Sequence, residues 1–168
     1  VQSISDAILL GGTSKPHLYS LRAIYYLHLG DTSSFRNDLR FYESKIYYTC
    51  NCEEPIAIQK NDGSCYWVNE NEWNNLHYTY YKAATYFYQQ GSTTQGDDLH
   101  RRYFRQYNNS SPYIVFSRIV ATHNDQGVLN LAKDGFGSLV ISKDVVEYVY
   151  SSYPKRKRLF KKLSELDL

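Results

Sequence analysis

Methionine is absent from all 168 residues, the first position included, which points to a processed or excised chain. Long apolar runs are missing as well. No stretch approaches the roughly 20 residues of a membrane-spanning helix, and mean hydropathy is −0.56. The short run Ala7–Leu10 has no basic segment before it, so no signal peptide is visible; one removed before Val1 would leave no trace. Charge of one sign is not in excess: the net charge is +2, too mild to announce a nucleic-acid binder by itself. Catalytic signatures are missing too. The five histidines form no HxH or HExxH pair, nothing marks a nucleophile elbow, and the nine glycines do not assemble a phosphate loop.

Against these absences stand 18 tyrosines, beside 7 phenylalanines and 2 tryptophans. A tyrosine buries a large ring while its hydroxyl needs a partner, so tyrosines collect at half-buried positions and interfaces. Either a core rimmed with tyrosine or a tyrosine-rich binding surface would explain them. Hydrophobic residues are 42 % and charged residues 21 % of the chain, ordinary values for a folded soluble protein. The length suits one globular domain over 1–168.

Hydropathy spacing orders the elements. Ser14-Lys15-Pro16 is a helix start, followed by Leu18, Leu21, Ile24, Tyr25 and Leu29 at helical intervals, with Gly30 as C-cap. After Asp31-Thr32-Ser33, the residues Phe35, Leu39, Tyr42 and Ile46 predict a second helix, antiparallel to the first across a short connection. Residues 46–68 are strand-like around the turn Asn61-Asp62-Gly63, predicting a small hairpin of about 56–60 with 64–68. A long helix follows over about 70–89, ended by Gly91 and a polar run to Gly96, and a shorter one then takes Leu99, Tyr103 and Tyr107 inward. The β-branched stretch 113–121, the turn at Asn124–Gly127 into 128–131, and Ser138–Ile141 predict a β meander. Ser142 caps another helix, and Pro154 opens a basic last helix over about 154–167. The sum is an α+β fold: a mainly helical N-terminal two-thirds with a small hairpin, then a short antiparallel meander and C-terminal helices. A helical-repeat reading fails, because only two helical pairs exist and they share no residue pattern.

Three groups of residues carry chemical interest. Cys50, Cys52, Cys65 and His77 are the residue types of a structural zinc site, although one residue between the first two cysteines is a poor spacing for zinc. A Cys52–Cys65 disulfide and three free thiols are the competing readings, and the odd count favours an intracellular home. Overlapping glycosylation sequons at Asn108–Ser111 pull the other way and carry little weight. Asp38, Glu43 and Lys45 are the types a metal-dependent nuclease uses to hold a cation and activate water, but Glu43 and Lys45 end a helical pattern, where residues two apart do not share a face.

The basic segments are the third group. From Pro154 to Lys162 the chain holds six basic residues and no acid: Lys155, Arg156, Lys157, Arg158, Lys161 and Lys162. Pro154–Leu159 resembles short monopartite nuclear-import signals, which makes a nuclear location an expectation, and Lys157–Phe160 resembles a cyclin-docking motif. A second patch, Arg101, Arg102, Tyr103 and Arg105, offers guanidinium groups for phosphates and an aromatic face for stacking. Solvated helix faces would explain both segments without any ligand. The reading that joins them is a non-enzymatic module that binds nucleic acid or an acidic partner, with no cofactor. A tyrosine-rich protein–protein assembly subunit is the alternative.

Overall fold

In the computed structural model the backbone is described for residues 1–11, 16–46, 55–59, 65–107, 110–137 and 141–166. Side chains are described for these except 11, 45–46, 55–59, 65–74 and 106–107. The described elements are helices α1 (Gln2–Gly11), α2 (His17–His28) and α3 (Thr32–Ile46), strands β1 (Pro55–Gln59) and β2 (Cys65–Asn69), and then helices α4 (Glu70–Gln89), α5 (Thr93–Tyr107), α6 (Pro112–Thr122), α7 (Asp125–Lys133), α8 (Lys143–Tyr150) and α9 (Lys157–Ser164). A 3-10 turn, Pro154–Arg156, leads into α9.

The α+β expectation is overturned, because the described structure is helical almost throughout. β1 and β2 pair antiparallel, Ala57 opposite Trp67, but a lone two-stranded ladder is not a layer on which an α+β core is built. Two of the three strands expected for the meander are helices, Pro112–Thr122 and Asp125–Lys133. Two caps explain why. Ser111 accepts a hydrogen bond from the Ile114 amide, with Pro112 at the first helical position, and Asn124 Oδ1 accepts from the Gly127 amide at 2.8 Å. Those signals start helices, and packing then overrides the strand preference of Ile114, Val115, Ile119 and Val120. Ile114, Ser117 and Val120 are buried at helical spacing. Of the expected strand Ser138–Ile141, residues 138–140 lie outside the described residues, and Ile141 is buried without being in a strand.

The chain divides into two compact units: Val1–Ala83 with Arg105–Asn108, and Ala84–Phe104 with Asn109–Leu168. In the first, α2 and α3 form an antiparallel hairpin. Tyr19 meets Phe41 at a ring separation of 4.2 Å, and one turn on, Arg22 meets Asp38. The turn between them is a Schellman motif: Gly30, at φ +77°, donates to the Leu27 carbonyl and Asp31 to the Tyr26 carbonyl. Phe35, Leu39 and Tyr42 fill the interior with Tyr80 and Tyr81 of α4, and the Tyr80 hydroxyl donates to the Glu43 carboxylate. The hydroxyl requirement of a buried tyrosine is thus met by a buried acid.

In the second unit Phe116 is the aromatic hub, edge-on to Phe136 at 5.6 Å and to Phe160 at 6.2 Å. Thr85, Ser117 and Tyr153 form a buried hydroxyl chain, with contacts of 2.7 and 2.8 Å. Tyrosine here serves as core material with its polar end satisfied.

Candidate functional site

The site is built around Arg156. Its Nε donates to Asp125 Oδ1 at 2.9 Å, Nη2 donates to the same oxygen, and Nη1 donates to the carbonyl of Val120. One guanidinium therefore ties the 3-10 turn to the end of α6 and the first turn of α7. Such a fork suits Arg and would not suit Lys, which has no planar array of donors. Beyond it, Leu159, Phe160 and Leu163 are buried, with Phe160 also 5.1 Å from the Tyr150 ring. Burying that stripe turns Lys157, Arg158, Lys161 and Lys162 outward, since they occupy the opposite face of a 3.6-residue helix.

The outcome is a groove of about 670 Å³ lined by Lys155, Arg156, Lys157, Arg158, Lys161 and one acid, Asp125. Asp125 is already engaged by Arg156, so the other four cations are left without a carboxylate lining the groove. Lys157 and Arg158 also stand in the first turn of α9, which has no side-chain cap and no acid there. Cations at a helix N-terminus oppose the macrodipole and cost stability; an anion in the groove would reverse that sign.

The second predicted patch is arranged differently. Arg101 is exposed and reaches Asp98 at 3.4 Å, Arg102 is half-buried, and Arg105 is exposed. Arg105 belongs to the first compact unit, while Arg101 and Arg102 belong to the second. Tyr103 is buried and hydrogen-bonded to Ser111, and burial pushes its phenol up to about 12. Its ring is core and offers no stacking face; among the described side chains of α5, Phe104, 44 % exposed, is the exposed aromatic.

Cys50 and Cys52 lie outside the described residues, and Cys65 is described only as backbone in β2. His77 is half-buried on α4, and burial pushes its imidazole below the usual range. Among the described residues no three His, Cys, Asp or Glu side chains gather as a metal site. Asp38 takes both Arg22 nitrogens, Nε at 2.7 Å and Nη2 at 2.8 Å. Glu43 accepts from Tyr80, and Lys45 is a further helical position two residues on. The carboxylates of the nuclease triplet are thus engaged in the core of the helical hairpin. Leu159 and Phe160, the apolar half of the cyclin-docking resemblance, are likewise buried.

Sequence spacing found the basic segment but missed its anchor. Nothing local links Arg156 to Asp125, 31 residues away, or marks Gln89 and His123 as neighbours of Lys155. No protein-family model, no characterised protein and no solved structure matches the chain. No helix among the described residues is long and apolar enough to cross a membrane.

Proposed function

We propose that the chain is a non-enzymatic nucleic-acid-binding module that grips a phosphate backbone with Lys155, Lys157, Arg158 and Lys161. The observation that carries this reading is the groove itself, in which four cations converge and the single lining acid is occupied by Arg156. Arg156 is the scaffold, holding the 3-10 turn so that its neighbours face one channel. Lys162, exposed on the same helix, extends the positive surface. Arg101, exposed in the same compact unit, supplies a further positive charge. Pro154, Lys155, Lys157 and Arg158 are exposed, which supports a nuclear location for the ligand to be met there.

The test is anisotropy of labelled oligonucleotides across a salt series. Four phosphate contacts on a single strand give a log K against log salt slope of about −3. Replacing the four cations with Ala should abolish most of that slope. Binding unchanged between low and high salt would overturn the reading, and preferential capture of an acidic peptide would redirect it to a protein partner.

A second reading, an assembly subunit, is supported by α2. Leu21 and Tyr25 are each 46 % exposed and Leu29 is 69 % exposed, at steps of four residues along one face. A second copy of the chain is the occupant this reading takes. Concentration-dependent dimerisation in sedimentation that is lost in Leu21→Glu/Tyr25→Lys would support it, and a monomer at all concentrations would remove it.

A further inference from the structure

The groove has a neighbour. A cavity of about 540 Å³ is lined by Tyr88, Gln89, Val120, Ala121, His123, Asn124 and Ser152–Arg156, so Lys155 and Arg156 border both spaces. That volume lies within the range of about 300–1,000 Å³ that small-molecule sites occupy. Its chemistry differs from that of the groove. The Tyr88 hydroxyl is spent on Asp97 at 3.0 Å and the Tyr153 hydroxyl on Ser117. With their polar ends engaged elsewhere, the accessible parts of these two rings, 2 % and 8 % exposed, join Val120, Ala121 and Pro154 as apolar wall and offer no open stacking face. Polar groups sit at the margin: the Gln89 amide, which donates to the Ser152 carbonyl, and the His123 ring, whose Nδ1 lies 3.2 Å from the Ile119 carbonyl. If Nδ1 donates there, Nε2 is left as an acceptor.

An apolar slot with polar edges, joined through a lysine to a channel of cations, matches a nucleotide split into its parts. We infer that the ligand is single-stranded nucleic acid, its phosphates along the Lys155–Lys161 groove and one unstacked base in the cavity. This rests on the nucleic-acid reading of the groove and adds the strand class. A duplex keeps its bases paired and stacked, and would engage the groove alone. Contact with an apolar wall tolerates any sequence, because every base has a flat apolar face.

The experiment uses the full chain and three labelled twelve-residue ligands: a single strand, a duplex of the same sequence, and a strand of the same length with its bases removed. Single strand binding about tenfold tighter than both others is expected, the scale of one base face taken out of water against an apolar wall. Ala121→Trp, which fills the cavity, should erase that preference while leaving the salt slope unchanged; Gln89→Ala, at an exposed position, should weaken it without touching the wall. Equal, salt-dependent affinity for all three ligands would overturn the base pocket and leave the groove standing. No salt-dependent binding to any of them would overturn both. The abasic comparison needs no variant, so it decides the matter even if Ala121→Trp fails to fold.

Discussion

Gly96 is placed where a single methyl group should be felt. It lies inside α5, and a Cβ built on it would stand 2.2 Å from Cε1, 2.5 Å from Cδ1 and 2.8 Å from Cζ of Tyr88. Ordinary carbon contacts are about 3.5–4 Å, so the ring would have to retreat by more than an ångström. Tyr88 is 2 % exposed and its hydroxyl holds Asp97, the residue next to Gly96. Retreat therefore means overpacking, at about 1–3 kcal/mol, together with loss of a hydrogen bond to a charged group, at about 1.5 kcal/mol or more. Against this stands the helix-propensity gain of Gly to Ala, about 1 kcal/mol. Gly96→Ala should thus destabilise by about 2–3 kcal/mol, measured by urea denaturation followed at 222 nm. In a Tyr88→Ala background the obstruction is gone, and the same change should stabilise by about 1 kcal/mol. That reversal of sign is the decisive feature of the double-mutant cycle. A neutral Gly96→Ala in the parent chain, or an equal effect in both backgrounds, would refute the steric argument.

Two further outcomes follow from buried polar groups. His100 Nε2 is buried with no hydrogen-bond partner among the described residues, and burial pushes the imidazole pKa down, with Asp97 raising it and Arg118 lowering it by smaller amounts. The folded state thus favours neutral His100, so its contribution is present above the ordinary value near 6.5 and lost as pH falls below it; His100→Phe should flatten the fall in urea midpoint between pH 6.5 and 5, and an unchanged pH profile would exclude His100 as its source. Arg22 pairs with Asp38 while its guanidinium lies 5.4 Å from the Tyr19 ring centre and 5.7 Å from that of Tyr26. Arg22→Ala should cost about 3 kcal/mol by stranding a carboxylate that is 8 % exposed, whereas Arg22→Met/Asp38→Leu should recover most of it; equal losses in the single and double variants would show that packing, not the stranded charge, is responsible.

In the first unit the signals at helix ends mark the elements, whereas the apolar spacing of α2 does not mark its buried face: Ser20, Ala23 and Leu27 are buried, and Leu21, Tyr25 and Leu29 of the expected stripe are exposed. Gly30 ends α2 with a positive φ, and Asp31 caps α3 by accepting from the Ser34 amide at 3.0 Å. For α3 and for the long helix at 70–89 the apolar spacing agrees with burial as well: Phe35, Leu39 and Tyr42, and Leu76, Tyr80, Ala84 and Phe87, are buried. In the second unit local signals conflict. Residues 113–121 are rich in β-branched and aromatic types, yet Ser111-Pro112 before them is a helix start, and the start decides the outcome. Asn124 reads as a turn residue and also as an N-cap; Gly127 encouraged the first reading but supplies the amide for the second. The polar run before Asp97 has the composition of a helix end, whereas it forms the first turn of α5, with Gly96 admitting the Tyr88 ring.

The candidate site was legible only as composition. A run of six cations separates residues that the fold uses in opposite ways: Arg156 is consumed as a tie to Asp125 and Val120, while Lys155, Lys157, Arg158 and Lys161 line the groove. Helical phase makes that division, because Leu159, Phe160 and Leu163 must face inward and the cations between them cannot. Tyr103 shows the reverse case. It stands among three arginines and so invites a stacking role, but its place on the inner face of α5 commits it to Ser111 and the core. Charge in a sequence therefore locates the surface, and the period of the apolar residues beside it determines which charges are available to a ligand. Substituting Arg156 should accordingly lower stability and groove affinity together, whereas substituting Lys161 should lower affinity alone, and substituting Lys157 should lower affinity while slightly raising stability.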